Sequence, residues 1–228
     1  MSNLAIITAR GGSKRIPRKN IKEFCGQPII YYSIRAAIES NLFDEVMVST
    51  DDTEIADIAG KCGAQVPFMR SEATSNDYAT TNDVLIEVLT EYQKLGRDFD
   101  TICCIYPTAP FVTAKKLCDC YALMKSSNAD SALTVTRFSF PPQRAFVIRG
   151  GSVEYQYPQY AKARSQDLEP IYHDCGQFYF FRKESFLHNN QIIGGNTVPY
   201  VVPEEEVQDI DTLSDWKIAE MKFLASQD

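Results

Sequence analysis

Apolar residues follow two periods along this chain, and the places where one gives way to the other mark out its elements. Leu4–Ala9 is a short apolar run bounded by turn residues, the pattern of a strand buried on both faces. Ile29–Ile38 carries apolar residues at helical spacing behind Pro28, which is tolerated in a first helical turn. Strand-like runs recur at Glu45–Thr50, Gln65–Met69, Thr101–Ile105 and Ser131–Thr136. Helical spacing fills the gaps between them. One helix is capped by Asp51 or Asp52, runs through Ala59 and stops at Gly63. Another is capped by Thr80 or Thr81, covers Asp83–Leu95 and stops at Gly96. A third is capped by Thr113 and reaches the neighbourhood of Lys125.

Strand and helix alternate in this way as far as Arg137. That order predicts an α/β fold: a doubly wound, mostly parallel, Rossmann-like sheet covered by helices on both faces. Beyond Arg137 the pattern changes. Two prolines in Ser139–Pro142 precede a pair of short runs around Gly150-Gly151, which reads as a hairpin. Tyr155–Tyr172 is aromatic, polar and irregular. Residues 138–172 are therefore expected to form an inserted arm of a single domain spanning 1–228, serving as a dimer contact or as a lid. Strands resume at Gly176–Arg182 and Thr197–Val202, and Asp211 or Thr212 caps a last helix, Leu213–Ala225.

Bulk composition narrows the function classes. A chain of 228 residues, 44% of them hydrophobic, is long enough for one such domain with a sizeable core. A net charge of −7 argues against a general nucleic-acid partner. No stretch is apolar for long enough to span a bilayer, and the N-terminus lacks a signal-peptide pattern, so a cytoplasmic location away from membranes is expected. The seven cysteines are odd in number, include the adjacent pair Cys103-Cys104 and form no C-x-x-C, while the only histidines are His173 and His188. Buried, reduced thiols are expected rather than a disulfide framework or structural zinc.

Three constellations could carry chemistry. Between Arg10 and Lys22 there are six basic residues and no acid, directly after the first strand. Ligands of doubly wound sheets bind beyond the carboxyl ends of strands, so a polyanionic ligand explains this local concentration in an acidic protein. Gly11 and Gly12 let backbone N–H groups approach phosphate oxygens, and the lysines and arginines neutralise them. Neither G-x-x-x-x-G-K-[ST] nor G-x-G-x-x-G is present, so the two commonest phosphate loops are excluded. The second constellation is Val207-Gln208-Asp209-Ile210-Asp211, whose carboxylates fall on one side of an extended segment. They read either as Mg²⁺ ligands or as a helix cap beside a solvated acid. The third, Tyr160–Tyr179, holds Arg164, Gln166, Asp167, His173, Asp174 and Gln177. These polar planar groups suit a polyhydroxylated, carboxylate-bearing ligand, or equally an arm exposed to water.

From Ile6 to the final helix the chain resembles the acylneuraminate cytidylyltransferases, the CMP-sialic acid synthetases, and most of all their pseudaminic-acid members. The likeness is carried by ARGGSKRIPRKN (Ala9–Asn20), VSTDD (Val48–Asp52), IYPTAPF (Ile105–Phe111), RSQDLE (Arg164–Glu169), YHDCGQFY (Tyr172–Tyr179) and VQDIDT (Val207–Thr212), in that order and spacing. The resemblance implies a sheet of the nucleotide-diphospho-sugar transferase type. It implies that Arg10, Ser13, Lys14, Lys19 and Asn20 contact the phosphates and ribose of CTP, within a loop that includes Gly11 and Gly12. Arg70 and Thr81 fall where the family reads the cytosine edge. Asp209 and Asp211 match its Mg²⁺ ligands, and Arg164 matches a basic residue on the acidic-sugar side. The sialic-acid enzymes tend to have glutamine where this chain has Tyr106, and an arginine-bearing segment where it has Tyr172-His173-Asp174. Both departures agree with the pseudaminic pattern.

The expected reaction is cytidylyl transfer from CTP to pseudaminic acid, giving CMP-pseudaminic acid and pyrophosphate. Arg10, Lys19 and Asp211 are the expected catalytic residues, and Tyr106, Arg164, Gln166, His173 and Gln177 are expected to face the nonulosonic sugar. Mg²⁺ is the expected cofactor and a homodimer, joined through the arm, the expected assembly. The rival readings are the same reaction on N-acetylneuraminic or legionaminic acid, and a non-catalytic nucleotide-binding regulator that kept the loop but lost the chemistry.

Overall fold

In the computed structural model, which describes residues 2–226, the chain opens with β1 (Asn3–Thr8), whose end runs straight into the basic loop. The two-residue strands β2 (Glu23–Phe24) and β3 (Gln27–Pro28) pair after that loop. The alternating part continues as α1 (Ile29–Glu39), β4 (Glu45–Ser49), α2 (Thr53–Lys61), a single turn α3 (Glu72–Ser75), α4 (Thr81–Lys94), β5 (Thr101–Ile105), α5 (Ala114–Ser126) and β6 (Ser131–Arg137). The hairpin β7 (Phe146–Arg149) and β8 (Ser152–Tyr155) follows, then β9 (Tyr172–Arg182), α6 (Lys183–Asn189), β10 (Thr197–Val201) and α7 (Leu213–Ala225).

The main sheet has the order β10-β6-β9-β5-β1-β4. Pairs β1–β4, β1–β5 and β6–β10 are parallel, while β9 runs antiparallel to both β5 and β6. The sheet is thus mostly parallel and Rossmann-like, with one reversed strand. That reversal follows from the arm: the chain leaves β6 at Arg137 and returns opposite it at Tyr172. Residues 138–171 are the long connection of one antiparallel pair, and among them only β7 and β8 form strands.

Alternation along β1 splits the core between two faces. Ala5 and Ile7 pack with Ile30 and Ile34 of α1 and Leu117 of α5, whereas Leu4 and Ile6 pack with Leu85 and Val88 of α4. A third cluster matters most for the site. Ile16, within the basic loop, is buried with Phe24, Ile210, Trp216 and Ala219. Burying that isoleucine contributes about 1.5–3 kcal/mol, so the loop is docked on α7 rather than free in solvent.

The open choices among caps are settled by hydrogen bonds. Asp52 caps α2 by accepting from the Ile55 N–H, and Thr113 caps α5 in the same way through the Lys116 N–H. Thr80 with Asp83, and Thr212 with Asp215, form reciprocal capping boxes on α4 and α7. Because Thr212 caps α7, the Asp211 carboxylate is left for other partners.

Two expectations need correction. Gln65–Met69 is not a strand: Gln65 bridges Met47 on the open edge of β4, but Pro67 has no N–H with which to continue the ladder. The strand expected at Gly176–Arg182 begins at Tyr172, because pairing with β6 extends it backwards. The helix α6 was unforeseen; its fully buried Phe186 packs on Phe181 of the sheet.

Candidate active site

The parallel strands β1, β4 and β5 end along one edge of the sheet, where the loops leaving β1 and β5, together with the segment 70–81 that leads into α4, surround a cavity of about 370 Å³. Arg10, Ser13, Lys14, Arg15, Lys19 and Asn20 line one wall, and Arg70, Asp77 and Thr81 the other. Tyr106 and Asp211 complete it.

The loop owes its shape to acids behind it. Arg18 adopts a left-handed conformation, φ 55, and its guanidinium engages both oxygens of Asp52, with Glu54 at 2.5 Å. That partnership raises the Arg18 pKa and holds the Asp52 carboxyl down to about 2. Gly11 donates its N–H to Asp51 at 3.1 Å, and a Cβ at Gly11 would lie 2.6 Å from the Asp52 Oδ2, so the close approach requires glycine. Gly12 meets nothing and stays open to the solvent side. The buried Asn20 spends its amide N–H on the Arg10 carbonyl at 2.9 Å, bracing the loop from within.

The cations themselves face the cavity. Arg10 reaches Asp77 at 3.3 Å and Lys14 reaches its other oxygen at 2.5 Å, and together they lower the Asp77 pKa. Arg15 pairs with Asp211 at 2.7 Å, and Lys19 lies 3.7 Å from the same carboxylate while donating to the Ile210 carbonyl at 2.6 Å. Arg70 is buried and donates to the Ser49 hydroxyl at 3.0 Å and the Ser49 carbonyl at 2.5 Å, and burial lowers its pKa. Thr81 meets the Tyr106 hydroxyl at 3.5 Å.

Tyr106 also lines a second cavity, of about 560 Å³, with His173, Asp174, Tyr179, Glu204 and Asp209. Asp211 and Asp209 therefore stand on the walls of different cavities, on either side of the buried Ile210. His173 is held by ring contact with Phe138 at 4.6 Å and by Nδ1 at 2.9 Å from the Asp174 carbonyl. Gln177 does not line either cavity: it is buried and donates to the Glu206 carbonyl at 2.7 Å, steadying the segment that leads to Asp209. Arg164 and Gln166 line neither cavity, and Arg164 is engaged by Asp167 through contacts of 2.6 and 3.1 Å. Arg15 lines the first cavity as one of the six basic residues of the loop, whereas Asp77 and Lys222 line these cavities outside every motif of the sequence. Of these two, Asp77 had a local signal, as the acid of the turn Asn76-Asp77-Tyr78 ahead of the Thr80 cap.

Two adjacent cavities, one cationic, suit a transfer between an anionic donor and a second substrate. A family model described as cytidylyltransferase matches residues 4–193 of the chain. The chain belongs to the cytidylyltransferase family. Among similar proteins, the pseudaminic acid cytidylyltransferase of Campylobacter jejuni is 40% identical over 224 residues, 98% of this chain and 97% of the relative. The CMP-N,N'-diacetyllegionaminic acid synthase of Legionella pneumophila is 32% identical, covering 100% of this chain and 99% of the relative. A solved structure of CMP:2-keto-3-deoxy-manno-octonic acid synthetase matches with a TM-score of 0.70 at 17% identity, over 100% of this chain and 99% of that one, which establishes the shared fold. The basic loop after β1 lies within the residues that match the cytidylyltransferase model, and the enzyme reading displaces that of a non-catalytic regulator. No helix among the described residues is long and apolar enough to cross a membrane.

Proposed function

We propose that the enzyme joins the cytidylyl group of CTP to a nine-carbon nonulosonic acid of the pseudaminic type. The observation that carries this reading is the juxtaposition at Tyr106: a cavity walled by Arg10, Lys14, Arg15, Lys19 and Arg70 adjoins one walled by hydrogen-bonding side chains. The Campylobacter relative supports the pseudaminic substrate, and the Legionella relative supports a legionaminic acid as second reading. CTP as donor suits a cytoplasmic location.

In this reaction the anomeric hydroxyl oxygen of the sugar acid bonds to the α-phosphorus of CTP, the bond to the bridging oxygen breaks, and pyrophosphate leaves as the hydroxyl proton is lost. Arg10 and Lys14 hold the leaving phosphates, exchanging Asp77 for the more highly charged triphosphate. Lys19, steadied by the Ile210 carbonyl, stabilises charge on the transferring group. Arg70 and Thr81, on the far wall, face the base. Transfer of this kind is governed by positioning and electrostatics, which is what a docked loop supplies.

The donor set also suits Mg²⁺. Among the described residues no group of three His, Cys, Asp or Glu could hold a metal unaided. Mg²⁺ is usually held by one or two carboxylates completed by substrate phosphates, and Asp211 would offer it one such carboxylate in the cationic cavity, whereas Asp209 lines the second cavity beyond Ile210. When bound there, the metal supplies neutralisation of phosphate charge and a lower pKa for the attacking hydroxyl.

The arm supports a homodimer. Phe140, Ile148 and Val153 on it are 87%, 76% and 63% exposed, and Arg164 lies apart from the second cavity of its own chain. A second copy would cover the first three and bring Arg164 toward a sugar carboxylate. The deciding experiment measures pyrophosphate release from CTP with pseudaminic, legionaminic and N-acetylneuraminic acid in turn. The fastest turnover is expected with pseudaminic acid, and Asp211→Ala is expected to abolish turnover while CTP still binds. No release with pseudaminic acid would sink the proposal.

A further inference from the structure

The register between β6 and β9 breaks beside the second cavity. Leu133 lies opposite Tyr179 and Val135 opposite Asp174, so a single residue, Thr134, spans four on the other strand, residues 175–178. Gly176 in this bulge has φ +61, a left-handed conformation that favours glycine. Bulges of this kind re-aim side chains next to sites. Here the extra residues curl the strand so that Asp174 meets two donors from its own element. The Gly176 N–H donates to Oδ1 at 2.8 Å, and the Tyr179 hydroxyl donates to Oδ2 at 2.7 Å. Tyr179 is buried against the Tyr106 ring, with centroids 5.4 Å apart. Burial drives its hydroxyl pKa up, with Tyr106 and Asp174 adding to the effect, so it remains a donor.

An ionised carboxylate accepts about four hydrogen bonds and donates none. Two acceptor positions of Asp174 are taken by the bulge, and the residue lines the cavity. Its orientation is set by the backbone and a buried phenol rather than by solvent, which is how a binding group is preorganised. Glu204 and Asp209 line the same cavity, and Lys222, which also lines it, is engaged by the Glu204 and Val207 carbonyls, so the balance of the wall is acidic: it disfavours a substrate carboxylate and attracts neutral donors.

We propose that Asp174 determines how the sugar acid lies in the second cavity, accepting a hydrogen bond from a hydroxyl or acylamino N–H and turning the sugar's own carboxylate away. Tyr179 is its positioning residue. The proposal rests on the sugar-acid reading above.

Steady-state kinetics of Asp174→Asn and Tyr179→Phe, varying each substrate in turn, test it. Asp174→Asn is expected to raise the KM for the sugar acid about 10- to 100-fold, the range for a lost hydrogen bond to a charged group, with the KM for CTP within about twofold of the parent. Tyr179→Phe is expected to raise the sugar KM about 3- to 10-fold with kcat nearly unchanged, since the carboxylate survives and only its orientation loosens. The thermal shift on adding CTP reports whether each variant is folded, and Tyr179→Phe decides if Asp174→Asn is not. The proposal is overturned if the sugar KM stays within twofold in folded variants, or if the CTP KM rises in step with it. A parent enzyme that transfers to no nonulosonic acid overturns the underlying reading instead, and is recognised by its failure before any variant is made.

Discussion

On one side of Tyr106 the cavity wall carries Arg10, Lys14, Arg15, Lys19 and Arg70 against Asp77 and Asp211; on the other it carries Asp174, Glu204 and Asp209 against Lys222. The two walls are also built differently. The cationic one comes mainly from a single continuous loop, braced by Asn20 from within, by Asp51 and Asp52 from behind, and by Ile16 beneath. The acidic one is assembled from the bulge of β9 and the segment after β10, parts of the chain that meet only when the sheet is complete. A charge that binds phosphates can be written locally, because any ordered loop of cations attracts a polyanion. A surface that reads hydroxyls and amides needs oriented acceptors, and those depend on distant supports.

The strongest way to break this comparison is to remove one cation at a time. Lys19→Ala and Arg10→Ala are each expected to lower kcat about 100- to 1000-fold, as loss of a preorganised charge at a reacting phosphate does. The KM for the sugar acid is expected to stay within about threefold, since neither side chain lines the second cavity. Substrate-saturation curves for both substrates check this. A sugar KM that climbed with the CTP KM would mean that the two cavities act as one.

A smaller effect probes the support behind the loop. Asp52 both caps α2 and holds Arg18, so Asp52→Asn, which keeps the cap's acceptor, is expected to cost about 1 kcal/mol at neutral pH, chiefly through the charge lost to Arg18 and to the helix N-terminus. The carboxyl's value is about 2 in the folded chain against an ordinary 3.8, so its contribution is complete above the ordinary value and is lost as the pH falls toward 2. Urea midpoints of parent and variant are therefore expected to differ at pH 7 and to converge in that acid window. A gap undiminished between pH 7 and pH 2 would show that the Asp52 charge has no part in holding the loop.

The same contrast explains what could be read from the chain alone. The alternation through Arg137, the basic loop and the cap residues are local patterns, and helix and strand periods with their capping side chains express them directly. Arg10, Lys14, Lys19, Arg70, Thr81 and Asp211 do converge on one cavity. Gln65–Met69 failed because one missing N–H at Pro67 outweighs a strand-like composition. Gln177 reads as a binding residue until its partner, the Glu206 carbonyl, is known; nothing within a few residues of it signals that contact. Asp174 and Tyr179 are close in sequence, but their hydrogen bond exists only because β6 imposes the bulge, so neither spacing nor residue type reveals it. Asp209 and Asp211 look equivalent in a period-two reading, and the burial of Ile210 sends them to different walls.

The smallest expected effect concerns the ring that divides the two cavities. Tyr106 touches both, yet its hydroxyl has only Thr81 at 3.5 Å, the outer limit of a hydrogen bond, and the adjacent Tyr179. Burial, the largest influence on that hydroxyl, raises its pKa, so it stays neutral and contributes no charge to either side. Separation of the sites therefore depends on the ring's bulk, packed against Tyr179 beside the Gly176 bulge. Tyr106→Phe keeps that bulk and is expected to change the KM for either substrate by no more than about threefold, the worth of a weak neutral hydrogen bond. Tenfold movement in either KM would transfer the role from the ring to the hydroxyl, and would join the two cavities through Thr81, Tyr106 and Tyr179 in one hydrogen-bonded path.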